Sequence, residues 1–432
     1  MGLLGHRRRA VVVGGIRTPF AKAFTELMEL DTIALGVAAT QALLRKLSLP
    51  RTEIDALVWG GVVLPPLSVN IGREIVLDAG LPTSVEAMTV TRACASGLQA
   101  VTSAVSAIER GDADVVIAGG SDSTSNAPIA FPTKLTRTLA PLALSGKATP
   151  HDVLGALAQL VPLSEIVPRQ PRVAERTTGE VMGESAERMA RRNEISRLAQ
   201  DEFALRSHKR AARAIASGRF DDELTPVETP HGFVHVDGLV RADTSLDKLA
   251  KLKPAFAKQG TITAGNASPL TDGAAALVLM AEDKARALGY KPLAAFRSWS
   301  YVAVDPADQL LIGPALAVPK ALDRAELTLA DVEVIDMHEA FAAQVLSVLK
   351  MLASDAFARE RLGRERAVGE VDPDKLNIYG GSIAIGHPFA ATGVRMVTTM
   401  ADELARTHKR TALLGICAAG GLGAAAVLER VD

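Results

Sequence analysis

The chain has 432 residues, of which 48% are hydrophobic and only 4% aromatic, so its interior has to be built mainly from Ala, Val, Leu and Ile. Its 48 basic side chains nearly balance 49 acidic ones, which argues against a nucleic-acid partner. No run approaches the ~20 apolar residues that cross a bilayer, and the basic cluster at 6–9 precedes no signal-like apolar segment. With only Cys94 and Cys417, far apart in sequence, we expect no disulfide framework and a cytoplasmic location.

The N-terminal part alternates between strand and helix patterns. Residues 8–20 predict a buried strand that ends at a glycine turn, and 30–47 predict a helix. A strand at 53–63, a helix at 95–111 and a buried strand at 112–123 follow. This alternation predicts an α/β fold with a parallel or mixed sheet covered by helices.

The C-terminal part repeats this pattern. Residues 97–121 align without a gap on 393–417, an offset of 296 (393 − 97), and 49–58 align on 327–336, an offset of 278 (327 − 49). Because both registers occur in the same order, we infer an internal duplication of one α/β half. The predicted halves are 1–126, completed by 256–288, and 289–432.

Residues 127–255 differ in composition from both halves. The segment is rich in Pro, Thr, Arg and Gly and contains charged amphipathic helices that end at Gly218. It predicts a loop domain inserted in the first half. Its basic residues suit an anionic ligand, although a solvated helix face explains most of them.

Cys94 lies where a sheet element gives way to a helix, followed by Ala95, Ser96 and Gly97. The partial positive charge at a helix N-terminus lowers a thiol pKa and favours the nucleophilic thiolate. On its own, however, a cysteine among small residues is more often a buried filler. Both interpretations stay open at this point.

Two histidines stand in unusual settings. His387 is held between Gly386 and Pro388, which restricts His387 to extended conformations and lets backbone approach closely. His338 follows an apolar strand, where its side chain suits either a hydrogen bond to a developing oxyanion or a structural cap.

Cys417 lies in a glycine-rich segment near the C-terminus. Residues 421–426 match a Gly-x-Gly-x-x-Ala dinucleotide pattern, but no further helix, strand and acidic residue follow it, as such a site requires. The duplication brings the ends of matching strands to one central face, where Cys94, His338, His387 and Cys417 are expected to converge.

Taken together, these segments make the chain resemble the thiolase family over essentially its whole length. His338 stands where most thiolases have Asn. A histidine at this position resembles the branch that contains the thiolase subunit of the fatty-acid-oxidation trifunctional enzyme. The resemblance implies a thiolase fold, a duplicated five-layered αβαβα core with an inserted loop domain. The segments that carry it are CASG at 94–97, GNASPLTDGAA at 265–275, HEAFAAQ at 338–344, GGSIAIGHPFAATG at 380–393 and CAAGGLGAA at 417–425.

The resemblance implies an acetyl-CoA C-acyltransferase that acts in fatty-acid β-oxidation. It implies that Cys94, activated by His387, attacks the keto carbon of 3-ketoacyl-CoA and carries the acyl group with ping-pong kinetics. Cys417 would then protonate the acetyl-CoA enolate and deprotonate the incoming CoA. His338 and His387 would bind the thioester oxygen, and the backbone amides of Cys94 and Ala419 the acyl oxygen. Ala419 stands where the family usually has glycine. Because the chemistry needs only a backbone amide at this position, alanine can serve as well.

The resemblance also implies the ligands and partners. It assigns CoA contacts to Arg241, Ser268 and Phe341, with CoA as co-substrate, no tightly bound cofactor and no metal ion. We expect a homodimer or homotetramer that dimerises through the first half, with a hydratase/dehydrogenase α subunit as a candidate partner. The apolar segment 150–171 raises peripheral membrane contact as a hypothesis, although packing within the loop domain is favoured.

Three alternatives are weighed against this function. A biosynthetic acetoacetyl-CoA thiolase would carry the same motifs. A decarboxylating 3-ketoacyl synthase would not need Cys417 as an acid and base. A non-catalytic CoA or lipid binder would not need Cys94 or His387.

Overall fold

The computed structural model describes residues 8–129, 131–147, 149–160, 167 and 174–432. By its internal contacts the chain divides into two compact units, one of 1–126 with 174–432 and one of 127–173. The wider loop domain predicted at 127–255, and the division into two halves at 288, stay predictions.

Twelve strands and fifteen helices follow one another along the described residues. The strands are β1 Ala10–Arg17, β2 Ala21–Lys22, β3 Ala56–Gly60, β4 Glu86–Val90, β5 Val115–Ser123, β6 Val227–Thr229, β7 Gly232–Val234, β8 Thr271–Ala281, β9 Ala294–Ala303, β10 Val334–Met337, β11 Thr411–Ala418 and β12 Leu422–Arg430. The helices are α1 Thr32–Leu47, α2 Ile71–Asp78, α3 Ser96–Arg110, α4 Thr133–Ser145, α5 Pro150–Gln159, α6 Met182–Arg192, α7 Arg197–Ala216, α8 Leu246–Ala250, α9 Glu282–Ala287, α10 Pro306–Gln309, α11 Gly313–Ala325, α12 Ala342–Leu352, α13 Asp355–Phe357, α14 Ser382–Ile385 and α15 Ala390–Thr407.

The main sheet consists of two parts with the same strand order, except that the first part has one more edge strand, β4. One part runs β4-β3-β5-β8-β1 and the other β10-β11-β12-β9, joined by a short antiparallel pairing of β1 with β9. The matching pairs β3 with β5 and β10 with β11 are parallel, as is β4 with β3, and the pairs that follow them in each part are antiparallel. The offset of 296 places β5 on β11, and the offset of 278 places β3 on β10. The topology thus repeats as the duplication predicts.

Two buried helices, α3 and α15, lie between the two parts of the sheet and cross at glycines. A Cβ atom added to Gly97 would lie 2.0 Å from the carbonyl oxygen of Ala390, and one added to Gly393 would lie 2.5 Å from the amide nitrogen of Leu98. Only glycine allows the backbones to approach so closely. Gly97 and Gly393 are partners in the 296 register, so the duplication has retained the crossing point.

The remaining helices cover the outer faces of the sheet. Helix α1 packs on β1, β5 and β8, and α11 packs on β9, β11 and β12. Along β5 the side chains alternate, with Val116 and Ala118 in the central core and Val115 and Ile117 in an outer core. The order helix, sheet, helix, sheet, helix confirms the predicted five-layered αβαβα fold.

The smaller unit, 127–173, contains α4 and α5. Helix α5 begins at a capping box in which Thr149 and Asp152 exchange side-chain to backbone hydrogen bonds. Its Leu154 and Leu157 are exposed. Much of the apolar segment 150–171 lies outside the described residues. Among the residues that the structure describes, no helix combines the length and apolarity needed to cross a membrane.

Candidate active site

Cys94 lies in the tight turn that joins β4 to α3. Ala93 before it has a φ of +46°, which is unusual for a residue with a side chain, and such strain concentrates at functional sites. The Ser96 hydroxyl holds the turn, since it accepts from the Arg92 amide at 2.7 Å and donates to the Ala93 carbonyl at 2.7 Å. Cys94 as a residue is partly buried, which leaves the turn open to solvent on one side.

The predicted low pKa of this thiol is wrong. Burial raises the pKa of Cys94 to about 11, and the backbone amides of Ala419 and of Cys94 itself only partly offset that rise. The helix begins at Ser96, two residues after Cys94, and the loss of hydration around the sulfur is the largest influence on the pKa of this thiol. Cys94 therefore rests as a neutral thiol and needs a base when it reacts. The two amides that interact with its sulfur are those predicted to bind the acyl oxygen.

Cys417 is fully buried at the end of β11, and neither cysteine forms a disulfide. Burial raises the pKa of the Cys417 thiol well above its usual value, and the neighbouring Cys94 adds to this. The Ala340 amide opposes that rise by a hydrogen bond to the Cys417 sulfur. The two thiols thus lie close enough to influence each other, and each has a backbone amide directed at it.

His387 is held from three sides. Its amide donates to the Thr271 hydroxyl at 3.0 Å, and its Nδ1 lies 2.7 Å from the Thr392 hydroxyl. Gly386 before it has a φ of +109°, and a Cβ there would come within 2.6 Å of Leu239. The Nε2 atom of His387 is buried and has no hydrogen-bond partner in the described part of the chain.

His338 follows β10 and is completely buried. Its amide donates to the Gly415 carbonyl at 2.8 Å, and its Nδ1 lies 2.8 Å from the Ser382 hydroxyl. As for His387, its Nε2 is buried without a partner among the residues described. A purely structural cap would use its side chain to satisfy backbone groups, so this geometry favours the oxyanion interpretation.

The two histidines and Cys94 share one small volume. The ring centroids of His338 and His387 lie 4.0 Å apart, and one ligand atom from each of Cys94, His338 and His387 lies within 4.8 Å of the others. Burial lowers the pKa of His387 to about 3, with a further contribution from Arg395. Burial, His387 and Arg395 hold the pKa of His338 well below its usual value. Both rings are therefore neutral near pH 7.

The predicted CoA contacts lie in two places. The Ser268 amide and hydroxyl donate to the Ala340 carbonyl at 3.0 and 3.1 Å. Phe341 forms a β-bridge with Ala267, which lies in the same loop as Ser268. This loop continues to Leu270, which pairs with His387. Ser268 and Phe341 therefore adjoin the site. Arg241 is exposed and lies two residues after Leu239, whose side chain is next to Gly386, and the Arg241 amide donates to Nδ1 of His208 at 3.2 Å.

Sequence reasoning missed the side chains that hold these groups in place. Glu339 is buried and accepts hydrogen bonds from Asn377, Ser207 and the Ile383 amide, which fixes the segment after His338. Asp122, whose pKa burial raises to about 7, accepts from the amide of Ala390 at the start of α15. Glu339 lies within the HEAFAAQ segment at 338–344, but no sequence spacing identifies its hydrogen-bond partners.

A buried ion pair crosses behind the two histidines. Arg395 on α15 donates to Asp336 on β10 at 2.6 Å, and each side chain is 3% exposed. Asp336 lies two residues before His338, and Arg395 lies one helical turn beyond Thr392. The pair therefore ties the strand that carries His338 to the helix that follows His387.

Comparison with known proteins agrees with this site and fold. The family model "Thiolase, N-terminal domain" matches residues 10–283, and "Thiolase, C-terminal domain" matches 290–430. The chain therefore belongs to the thiolase family, as its resemblance predicts, and the trifunctional-enzyme branch stays a prediction.

Named relatives come from bacteria and from human mitochondria. A 3-ketoacyl-CoA thiolase of Pseudoalteromonas translucida (strain TAC 125) is 46% identical over 98% of this chain and 97% of its own. The crystal structure of Bacillus anthracis acetyl-CoA acetyltransferase has a TM-score of 0.83 and 32% identity, covering 98% of this chain and 99% of that one. Human mitochondrial 3-ketoacyl-CoA thiolase in complex with CoA has a TM-score of 0.82 and 29% identity, with 98% of both chains covered.

Proposed function

We propose that this chain is a 3-ketoacyl-CoA thiolase that cleaves 3-ketoacyl-CoA with CoA to acetyl-CoA and a shortened acyl-CoA. The observation that carries the proposal is the convergence of two thiols and two neutral imidazoles, with backbone amides directed at both sulfurs. The names of the bacterial and human relatives support it. CoA enters as co-substrate, and no tightly bound cofactor is needed.

In the first half-reaction, Cys94 attacks the keto carbon of the substrate while its proton passes to Nε2 of His387. The tetrahedral intermediate collapses and the bond between the α and keto carbons breaks, which leaves the acyl group on Cys94 and an acetyl-CoA enolate. Nε2–H donors of His338 and His387 stabilise the enolate oxygen. Cys417 gives its proton to the enolate carbon and becomes a thiolate.

In the second half-reaction, the Cys417 thiolate takes the proton of the CoA thiol. The CoA sulfur attacks the thioester on Cys94, and the amides of Cys94 and Ala419 stabilise the oxyanion. The sulfur of Cys94 leaves and recovers its proton from His387. Each catalytic group returns to its starting state, and the reaction follows ping-pong kinetics.

A chain-length series of 3-ketoacyl-CoA substrates with free CoA tests this function. We expect thiolysis that produces acetyl-CoA at every turnover and extends beyond acetoacetyl-CoA. Activity confined to acetoacetyl-CoA would instead favour an acetyl-CoA acetyltransferase, the name of the Bacillus anthracis structure. Absence of thiolysis at all chain lengths would overturn the proposal.

We further propose that the enzyme serves fatty-acid β-oxidation in the cytoplasm and forms a homodimer through its first half. Strand β4 is at the end of the sheet order, and Met88 on it is exposed. An exposed sheet edge next to the catalytic turn suits pairing with a second copy. Light scattering after size exclusion measures the mass, and a monomer at micromolar concentration would contradict the dimer.

A further inference from the structure

We propose that Cys94, His338 and His387 form a binding site for one thiophilic divalent cation, such as Zn²⁺ or Cd²⁺, which blocks acylation when bound. The three donors are one thiol sulfur and two imidazole nitrogens, the ligand types that these ions prefer. Binding of the ion is independent of the proposed function, and only the resulting loss of acylation rests on it.

The free nitrogen on each ring identifies the ligand atoms. Nδ1 of His338 is bound by Ser382 and Nδ1 of His387 by Thr392, at 2.8 and 2.7 Å. This leaves Nε2 on both rings, and both Nε2 atoms are buried without a partner among the described residues. Metal-binding histidines typically hold their second nitrogen in such a hydrogen bond. Ser382 and Thr392 thus already supply the orientation that a metal site needs.

The distances require only a modest contraction. The three ligand atoms lie within 4.8 Å of one another. With Zn–S near 2.3 Å and Zn–N near 2.0 Å, tetrahedral ligands are roughly 3.5 Å apart. Rotation of the Cys94 side chain, which lies in a partly exposed turn, can supply most of the difference of about 1 Å. The same partial exposure gives the ion a path from solvent.

The charges around the site are compatible with a bound cation. The charge of Arg395 acts on both histidines, but it is paired with Asp336 at 2.6 Å. Asp122 is an acidic group that also acts on Cys94. Coordination releases the thiol proton of Cys94 to solvent, forms a sulfur–metal bond and changes no oxidation state. The ring proton of His338 moves from Nε2 to Nδ1, where it is donated to the Ser382 hydroxyl. The bound ion occupies the sulfur lone pair that would attack the substrate.

The proposed metal site depends on His338, which supplies one of its three ligand atoms. With Asn in its place, the third donor would be an amide, which is a poor ligand for a soft cation. The variant His338→Asn should therefore weaken metal binding while it leaves the other residues of the site in place. His231, whose side chain is 80% exposed, provides a matched histidine control.

Titration of metal-free enzyme with Cd²⁺, followed by the ultraviolet sulfur-to-cadmium charge-transfer band, tests the inference without any substrate. We expect one ion per chain, loss of the band in Cys94→Ser, and affinity lower by about tenfold or more in His338→Asn and His387→Asn. The band should persist in Cys417→Ser, and His231→Asn should bind as the unmodified enzyme does. A band that survives in Cys94→Ser, or unchanged affinity in both site-histidine variants, would overturn the inference.

X-ray absorption at the zinc edge of the unmodified enzyme needs no variant. We expect one sulfur and two imidazole nitrogens around the ion, and a shell of oxygen ligands would contradict the site. In parallel, bound Cd²⁺ should protect Cys94 from alkylation. An enzyme that cleaves 3-ketoacyl-CoA but does not bind Cd²⁺ overturns this inference alone. A chain that binds Cd²⁺ but shows no thiolysis overturns the proposed function and leaves the site.

Discussion

The imidazole rings of His338 and His387 lie with their centroids 4.0 Å apart, although they come from different segments of the C-terminal half. Each ring is oriented by one hydroxyl group and presents a free Nε2 to the same space. The Nε2–H of neutral His338 and the Nε2–H that His387 gains from Cys94 are suited to an oxygen that becomes negative during the reaction.

Substitution of His338 tests this pairing. His338→Leu should lower kcat by about 10²–10³-fold, since one oxyanion donor is lost. His338→Asn should keep much more activity because its amide can donate a hydrogen bond from nearly the same place. Steady-state thiolysis kinetics measure both variants. Equal activity of the Leu and Asn variants would remove His338 from the oxyanion site.

The raised pKa of Cys94, about 11, predicts how its alkylation depends on pH. The thiolate is the reactive form, and its fraction rises as pH rises toward the pKa. Alkylation of Cys94 by iodoacetamide should therefore accelerate continuously from pH 6 to pH 9, roughly tenfold per pH unit if no base assists. Mass spectrometry assigns the label to Cys94 or Cys417. A rate that levels off below pH 7 would show a stable thiolate and contradict the buried neutral thiol.

The crossing of α3 and α15 predicts a large effect of one added methyl group. In Gly97→Ala the new Cβ would meet the Ala390 carbonyl, which is backbone and cannot move alone. We expect the free energy of unfolding to fall by about 1–3 kcal/mol or more, measured by urea denaturation. Gly155→Ala is the control, because it is an exposed helical site with nothing within 4 Å, and should gain about 0.5–1 kcal/mol. Equal effects of the two changes would refute the close crossing.

The buried pair of Arg395 and Asp336 predicts a non-additive effect on stability. Arg395→Met leaves the Asp336 carboxylate buried without its partner and should cost about 3–5 kcal/mol. In the double variant Arg395→Met with Asp336→Leu, the uncompensated charge is gone, so most of the loss should be recovered. Urea denaturation of the four proteins in the cycle measures the coupling. Additive losses would show that the two side chains do not interact as described.

Much of the fold could be predicted from the sequence because it rests on patterns that repeat. The offsets of 296 and 278 place matching strands on one another, and both parts of the sheet have the same order. The four reactive side chains also stand in segments with unusual local chemistry, such as His387 between Gly386 and Pro388. Their convergence follows from the duplication.

The electrostatics and the supporting contacts could not be predicted in this way. The pKa of Cys94 depends on how much tertiary structure surrounds the sulfur, whereas sequence shows only its place before a helix. The orienting hydroxyl of Ser382 lies far in sequence from His338, and Arg395 is far from Asp336. No local pattern distinguishes these partners from other serines and arginines.

The covalent acyl-enzyme is the most direct test of the central claim that Cys94 carries the acyl group. Intact-protein and peptide mass spectrometry after incubation with 3-ketoacyl-CoA should find the acyl mass on Cys94 and none in Cys94→Ala. Cys417→Ala should still accept an acyl group slowly from acyl-CoA but should fail to cleave the carbon–carbon bond, because no group protonates the enolate. An acyl group that persists in Cys94→Ala, or one found on Cys417, would contradict the assignment.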